Sequence, residues 1–286
     1  MPASTHDDRF ASIGRVLLPV RWRPGLAGAA LELRSTILQR LAASHPLAVT
    51  LLSVLEESDH DTTLADMRAL RARLPIDEVN INILNRQDPA PAIVDEAANG
   101  YDLVILGSTQ AEGPHLFDSV IDAVVRDAPC PTLVVRGGQL EETWSPHRIL
   151  IPYNGARASR WAAELAFALA GSQSERVVLL NVVDQATAVD AARAGNEDIN
   201  QVLESRGEIV GEIRDKGAER GIRTEAEVRV GSEPDTVVIR LVKEKRFDLV
   251  VLGAELRPAS RRLFLGARVE RILQRADCPV IVLNVA

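Results

Sequence analysis

The stretch YDLVILG at residues 101–107 recurs as FDLVVLG at residues 247–253. Each is a short run of Leu, Val and Ile that ends in glycine, a pattern typical of a strand buried on both faces of a parallel sheet. Two more pairs of matching stretches flank it in the same order: GRVLLPVRW (14–22) with HRILIPYNG (147–155), and RDAPCPTLVV (126–135) with QRADCPVIVL (274–283). Ordered matches at nearly constant spacing indicate that one domain has been duplicated.

The segment between the matching stretches is GGQLEETWSPH (137–147), which carries Gly, Pro and charge but no hydrophobic periodicity. Such a composition is typical of a linker. We therefore expect a first copy over residues 1–138, a linker over 139–147 and a second copy over 148–286. These units are called copy one and copy two below.

Copy two reads as strands that alternate with helices. Its strands are predicted at 148–153, 176–184, 224–230, 248–253 and 280–285, and its helices at 157–170, 196–220, 234–245 and 266–276. Copy one follows the same order with a shorter second helix near residues 61–74. Alternating strands and helices require right-handed crossovers and a parallel sheet. The predicted fold class is α/β, with two tandem open five-stranded parallel sheets, doubly wound, with helices on both faces.

Composition excludes several classes of protein. A formal net charge of −7 argues against non-specific binding to nucleic acid, which requires a basic surface. No run of 18 apolar residues encodes a membrane span, and the acidic N-terminal stretch does not match a signal peptide, so we expect a cytoplasmic protein. The five histidines have no metal-binding spacing. Cys130 and Cys278, at equivalent positions before Pro, are interpreted as buried structural thiols.

Four motifs of copy two carry a family resemblance: PYNG (152–155), GSEP (231–234), DLVVLG (248–253) and ADCPVIVL (276–283). Together with their counterparts in copy one, they resemble the universal stress protein family over nearly the whole chain, twice. The stretch RRLFLG (261–266) is also similar to the stress-protein domains appended to bacterial cation/proton antiporters.

The resemblance implies five-stranded parallel sheets that pair through their last strands. Here the strands at 132–136 and 280–285 would pair within one chain as a pseudo-symmetric dimer, because an unpaired edge strand invites association. The partners expected from the resemblance are therefore the chain itself, within one molecule or as a homodimer, and a transporter or other regulated protein.

Many members of this family bind ATP through the motif G-x2-G-x9-G-S/T. Gly253 and Gly266 occupy the first and third glycine positions of copy two, but Leu256 and Ala267 replace the second glycine and the Ser/Thr. Asn154 replaces the family's Asp at the end of the first strand. Arg268, with Arg257, Arg261 and Arg262 in the loop, either pairs with phosphate or belongs to a solvated surface. The expected ligand contacts are Tyr153, Asn154, Val182, Gly253, Gly266, Ala267 and Arg268.

Copy one departs further from the motif. Gln110 stands at the second glycine position, and Asp118 stands at the third, where a carboxylate repels phosphate. Arg21, followed by Trp22, replaces the strand-one Asp. We predict that Arg21 and Asp118 approach each other at the carboxyl edge of the sheet, that Trp22 helps to fill the pocket, and that copy one does not bind ATP.

The sequence leaves three functions open. The first is a non-catalytic stress-response or regulatory protein that binds an adenine nucleotide such as ATP weakly in copy two and acts through self-association or a partner. The second is an ATP-binding member with slow hydrolysis, and the third is a scaffold in which both pockets are inactive. An ATP pyrophosphatase of the same fold group would need an SGGxDS-type loop after strand one, and neither PVRWRPG (19–25) nor PYNGARAS (152–159) provides it.

Overall fold

The computed structural model describes residues 13–20, 29–43, 45–55, 60–108, 118–137, 144–171, 176–185, 196–255 and 265–285. In copy one, the elements in chain order are β1 (Arg15–Pro19), α1 (Ala29–Ala42), β2 (Ala48–Leu55), α2 (His60–Arg73), β3 (Glu78–Asn85), α3 (Pro89–Ala97), β4 (Leu103–Ser108), α4 (Ser119–Asp127) and β5 (Thr132–Arg136). In copy two, they are β6 (Arg148–Pro152), α5 (Arg157–Ala170), β7 (Arg176–Asp184), α6 (Asn196–Glu219), β8 (Arg223–Gly231), α7 (Pro234–Lys245), β9 (Leu249–Ala254), α8 (Ala267–Arg275) and β10 (Val280–Asn284).

All ten strands form one sheet in the order β3-β2-β1-β4-β5-β10-β9-β6-β7-β8. The five strands of each copy are parallel to one another. The only antiparallel pair among the described strands joins β5 to β10, with Val134 opposite Val282 at its centre. This arrangement confirms the predicted α/β fold, in which two five-stranded parallel sheets pair through their last strands. The two sheets thereby become a single continuous one.

The strands are buried because helices cover both faces of the sheet. On β1, Val16 and Leu18 point to one face and Leu17 points to the other, as the alternation of side chains along a strand requires. The helices α1, α2, α5 and α6 cover the first face, and α3, α4, α7 and α8 cover the second. No helix within the described ranges is long and apolar enough to cross a membrane.

The repeated Asp of the DLV motif has a structural role at the amino edge of the sheet. Asp102 Oδ2 accepts hydrogen bonds from the backbone N–H groups of Gly14 and Arg15, at 2.9 and 2.8 Å. Asp248 accepts the matching pair from His147 and Arg148, at 3.0 and 2.9 Å. Each carboxylate therefore links its own strand to the start of the copy's first strand. This contact accounts for the presence of Asp in both copies.

The two copies also cap each other's last helix across the β5–β10 junction. Arg136, the last residue of β5, donates to the carbonyl oxygens of Leu273 and Ala276 at the C-terminal end of α8. Asn284, at the equivalent place on β10, donates to the carbonyl oxygen of Val125 in α4, at 3.2 Å. Both contacts satisfy carbonyl groups that a helix end leaves without a partner. Burial of the Arg136 guanidinium lowers its pKa.

The segment before β6 packs on α1. Thr36 Oγ1 donates to the carbonyl oxygen of Trp144 at 3.4 Å, and Arg40 Nη2 donates to Ser145 Oγ at 2.7 Å. Residues 139–143 of the predicted linker lie outside the described ranges, so its boundaries stay a prediction.

Candidate functional site

The order of strands reverses at one place in each copy, between β1 and β4 and between β6 and β9. Open α/β sheets bind ligands in the crevice outside the carboxyl ends of the strands at such a point. In copy two the crevice is bordered by the loop after β6, the end of β9 and the start of α8. The predicted site residues Asn154, Gly253 and Gly266 lie in these three segments.

Gly253 lies against the first turn of α5. A Cβ at this position would overlap the carbonyl group of Ala158 and lie 2.7 Å from the backbone nitrogen of Ser159. A side chain cannot be accommodated there, because the overlapping atoms belong to a helix backbone. The first glycine of the motif is therefore required by the packing of helix against strand.

Two polar side chains of the crevice are bonded to the first turn of α5. Asn154 Oδ1 accepts from the backbone N–H of Ala156 at 3.0 Å and from Ser159 Oγ at 2.8 Å. Glu255 Oε1, from the residue after β9, accepts from the backbone N–H of Ala158 at 3.3 Å. These contacts satisfy N–H groups that the start of a helix leaves free. They also place the exposed Glu255 carboxylate beside the crevice.

The start of α8 is arranged differently. Its N-cap residue, Gly266, has φ +99° and no side chain with which to cap the helix. A Cβ at Gly266 would meet nothing within 4 Å among the described atoms, so its backbone conformation is what favours glycine. Ala267 and Arg268 follow it and are exposed. The α8 N-terminus thus carries backbone N–H groups that no N-cap side chain satisfies, the arrangement that binds anions in other proteins.

Arg268 lies 4.0 Å from Asp184 at the end of β7, with both side chains exposed. A pair this long and this exposed contributes little, about 0–1 kcal/mol, to stability. The guanidinium therefore remains available at the edge of the crevice, although a carboxylate competes for it.

Tyr153 and Val182 pack inside the protein. The Tyr153 side chain is buried in the core on the α5 side of the sheet, and that burial raises its pKa. Its carbonyl oxygen accepts from Asn181 Nδ2 at 2.8 Å. Val182 is half-buried and packs against the core on the α7 side.

An ion pair joins α8 to α7. Arg271 Nε lies 2.8 Å from Asp235 Oδ2, and its Nη1 lies 3.7 Å from Glu233 Oε1. Asp235 is almost fully buried, so this pair holds the first turns of the two helices together. The equivalent positions of copy one are Ala90 and Ala123, so this ion pair has no counterpart at these two residues.

The equivalent helix of copy one begins with a carboxylate. Asp118 is the N-cap of α4, and its Oδ1 accepts from the backbone N–H of Ile121 at 2.9 Å. A negatively charged oxygen therefore lies where Gly266 leaves copy two open. Arg21 and Trp22 lie outside the described residues, so the approach of Arg21 to Asp118 and the filling of the pocket by Trp22 stay predictions.

The Arg34 side chain lies at the crevice of copy one. The Arg34 guanidinium, from α1, packs over Gly107, where a Cβ would lie 3.1 Å from Arg34 Cζ. Arg34 Nη1 donates to the carbonyl oxygen of Pro19, at the end of β1, at 3.3 Å. The side chain is only 8% exposed, and burial lowers its pKa to about 10. It remains charged at neutral pH and occupies the strand-order reversal between β1 and β4.

Sequence reasoning missed Arg34 and Glu255. A charged residue on the apolar face of α1 was the available signal for Arg34, since Leu33, Ile37 and Leu38 around it are buried. Glu255 falls in a variable position of the nucleotide motif and carried no signal. Gln110, Leu256 and the loop arginines Arg257, Arg261 and Arg262 lie outside the described residues.

The remaining candidate chemistry fits structural roles. Burial raises the pKa of Cys130 to about 11 and that of Cys278 to about 12. Cys130 is buried as predicted, whereas Cys278 is only partly buried. Both thiols are protonated at neutral pH, which is the unreactive form of cysteine. In the described part of the chain, no group of three or more His, Cys, Asp or Glu residues is placed to hold a metal ion.

Comparison with known proteins places the chain among relatives. Residues 29–136 and 146–284 match the model of the universal stress protein family. A universal stress protein from Methanocaldococcus jannaschii is 29% identical over 139 residues, which cover 48% of this chain and 81% of that protein.

Two crystal structures have the same fold over almost the full length. A functionally unknown protein from Pseudomonas aeruginosa aligns with a TM-score of 0.65 and 17% identity, covering 97% of this chain and 95% of that one. A universal stress protein from Archaeoglobus fulgidus aligns with a TM-score of 0.60 and 16% identity, covering 97% of this chain and 98% of that one.

Proposed function

Because the chain belongs to the universal stress protein family, we propose that it is a non-catalytic regulatory protein that binds one small anionic ligand in copy two and none in copy one. The candidate ligand is an adenine nucleotide. One observation carries the proposal: α8 begins at Gly266 without a capping side chain, whereas the equivalent α4 is capped by Asp118.

The electrostatics of the two helix starts support one site per chain. The free N–H groups and the positive end of the helix dipole attract a phosphate at α8. Arg268, two residues after Gly266, adds a charge-assisted donor. In copy one the Asp118 carboxylate already takes this role for α4, and it would repel a second anion.

The same surroundings support weak binding. Leu256 replaces the glycine that would let the backbone approach a phosphate, and the Glu255 carboxylate stands beside the crevice. Asn154 brings no charge, and its Oδ1 is already bonded to the α5 backbone. The residues present fit a single phosphate at the start of α8 better than an extended triphosphate. AMP and ADP are therefore better candidates than ATP, because they have fewer phosphates to bind.

The absence of catalysis is proposed from the same residues. Among the described residues around the reversal point of copy two, the side-chain oxygens of Asn154, Ser159 and Glu255 are each bonded to the first turn of α5. A group held in this way is poorly placed to move a proton on a substrate, since catalysis requires it to reach the reacting atom. A phosphate-release assay with ATP checks this point, and turnover above the buffer rate would favour the ATP-hydrolysing alternative.

Titration calorimetry with AMP, ADP and ATP tests the binding. We expect one site per chain and a rise in melting temperature that follows ligand concentration by mass action. Arg268→Glu leaves the backbone unchanged and is expected to weaken binding at least about tenfold. Gly266→Asp places a carboxylate at the start of α8 and is expected to abolish binding. Because φ +99° strains any side chain at this position, circular dichroism must show that the variant is folded. Arg223→Ala is the matched control and is expected to bind like the parent chain. Arg223 begins β8, at the amino ends of the strands, whereas the crevice lies at their carboxyl ends.

Two outcomes would overturn the proposal. Binding of two nucleotides per chain would show that Asp118 and Arg34 do not close copy one. Binding that Arg268→Glu leaves unchanged would place the ligand elsewhere. If none of the nucleotides binds, the second candidate function gains: a scaffold with two inactive pockets. The observation that favours a scaffold is that Asn154 and Glu255 already accept hydrogen bonds from the backbone at the start of α5, so these side chains need no ligand as a partner.

A further inference from the structure

The ten-stranded sheet ends in two edge strands, β3 in copy one and β8 in copy two. An edge strand presents a row of backbone N–H and C=O groups that can pair with another chain, and proteins usually protect it with charged side chains. From the difference between these two edges, we propose that the outer edge of β3 is the site at which a second copy of this chain pairs, antiparallel, about a two-fold axis.

The β3 edge lacks this protection. From Val79 to Asn85 the strand reads VNINILN, without a single charged residue or proline. Ile81, Asn82, Ile83 and Leu84 are all only partly buried, so side chains on both faces of the strand remain accessible. No described strand pairs with this edge. Seven consecutive uncharged residues at an edge are well suited to strand addition.

The β8 edge is protected. Four of its nine residues are charged: Arg223, Glu225, Glu227 and Arg229. These charges are held by ion pairs within the chain. Arg176 pairs with Glu225, while Arg229 and Lys245 both pair with Glu227, at 2.6 and 2.9 Å. Docking of another strand on β8 would have to disturb this network.

One register of β3 against a second β3 is self-complementary. With Asn82 on the two-fold axis, Ile81 lies opposite Ile83 of the second copy, and Asn80 lies opposite Leu84. In the same register, the exposed Glu78 lies opposite the exposed Arg86 of the second copy, at both ends of the pair. Opposite charges on directly opposed residues stabilise an antiparallel pair, and like charges destabilise it. The charge pattern therefore selects a second copy of this chain as the occupant.

The test measures the mass of the full chain by sedimentation velocity over a range of concentrations. We expect a dimer for the parent chain. Asn82→Lys places two ammonium groups on the axis and is expected to give a monomer. Arg86→Glu sets Glu78 against a glutamate at both ends and is expected to raise the dissociation constant at least about tenfold. The double variant Glu78→Arg/Arg86→Glu restores the opposite charges and is expected to restore the dimer.

Ala226→Lys, at an exposed position of β8, is the matched control and is expected to leave the dimer unchanged. Far-ultraviolet circular dichroism and the melting temperature verify that each variant is folded. A parent chain that stays monomeric at every concentration would overturn the proposal. So would a dimer that survives Asn82→Lys, or one that the double charge exchange fails to restore. These results do not depend on nucleotide binding, so they are independent of the proposed function.

Discussion

The two copies start equivalent helices in opposite ways. In copy one α4 begins with Asp118, whose carboxylate accepts a backbone N–H of the helix, and in copy two α8 begins with Gly266, which has no side chain. The helix start requires a negative partner in both cases, because its N–H groups and dipole are the same. Copy one supplies that partner at its N-cap, whereas the N-cap of copy two has no side chain and the carboxylate in the first turn of α8 belongs to Glu270.

The first glycines of the motif differ in the same way. Gly253 faces the backbone of α5, whereas Gly107 faces the Arg34 side chain. A backbone cannot move aside, but a long side chain can. Glycine is therefore required at position 253 by a backbone contact and at position 107 by a side-chain contact.

The largest expected effect separates these two glycines. Gly253→Ala is expected to lower the free energy of unfolding by at least about 3 kcal/mol, because the new methyl group overlaps the carbonyl of Ala158. Gly107→Ala is expected to cost about 1 kcal/mol, since Arg34 can shift by a few tenths of an ångström. Urea unfolding of the two variants measures the difference. Equal losses would mean that the two helices approach the sheet in the same way.

A smaller effect is expected at the junction of the copies. Arg136→Ala removes donors from the carbonyl oxygens of Leu273 and Ala276, and about 2 kcal/mol of unfolding free energy should be lost. Asn284→Ala removes one neutral hydrogen bond to Val125 and should cost about 1 kcal/mol. Thermal unfolding of the two variants shows which substitution lowers the stability more. If Asn284→Ala proves the more costly, the cation is not the stronger cap.

The smallest effect concerns the cap of α4. Asp118→Ala is expected to cost about 1 kcal/mol, because it frees the backbone N–H of Ile121. Ser119→Ala, at the exposed next residue, serves as the control and should stay within about 0.5 kcal/mol of the parent chain. Urea midpoints for the two variants give the comparison. No loss for Asp118→Ala would mean that solvent replaces the carboxylate at no cost.

The fold followed from the sequence because its strands are buried on both faces. Runs such as ILI before Pro152 and LVVL before Gly253 can lie only in a covered parallel sheet, and the helices between them have clear apolar periodicity. The pairing of β5 with β10 followed from the family resemblance. The strands and helices were predictable because each has a hydrophobic pattern of its own or a matching stretch in the other copy.

The details of the two crevices did not follow, because they depend on contacts between distant segments. Arg34 is a charged residue on the apolar face of α1, but only its position over Gly107 gives it a role. The bond of Glu255 to Ala158 joins residues almost a hundred positions apart. The sequence predicts that the Asp118 carboxylate repels phosphate. Its role as the N-cap of α4 depends on the backbone conformation at that point, which the sequence does not give.

The reciprocal caps at the β5–β10 junction bear on how a fused pair can diverge. In a homodimer the interface is isologous, so one residue must perform a contact on both sides of the axis, and any substitution appears twice. Here Arg136 and Asn284 stand at the two equivalent places and cap with different chemistry. Fusion into one chain also holds the halves at a high effective concentration. Each side of the junction, and each crevice beyond it, has thereby been free to mutate alone.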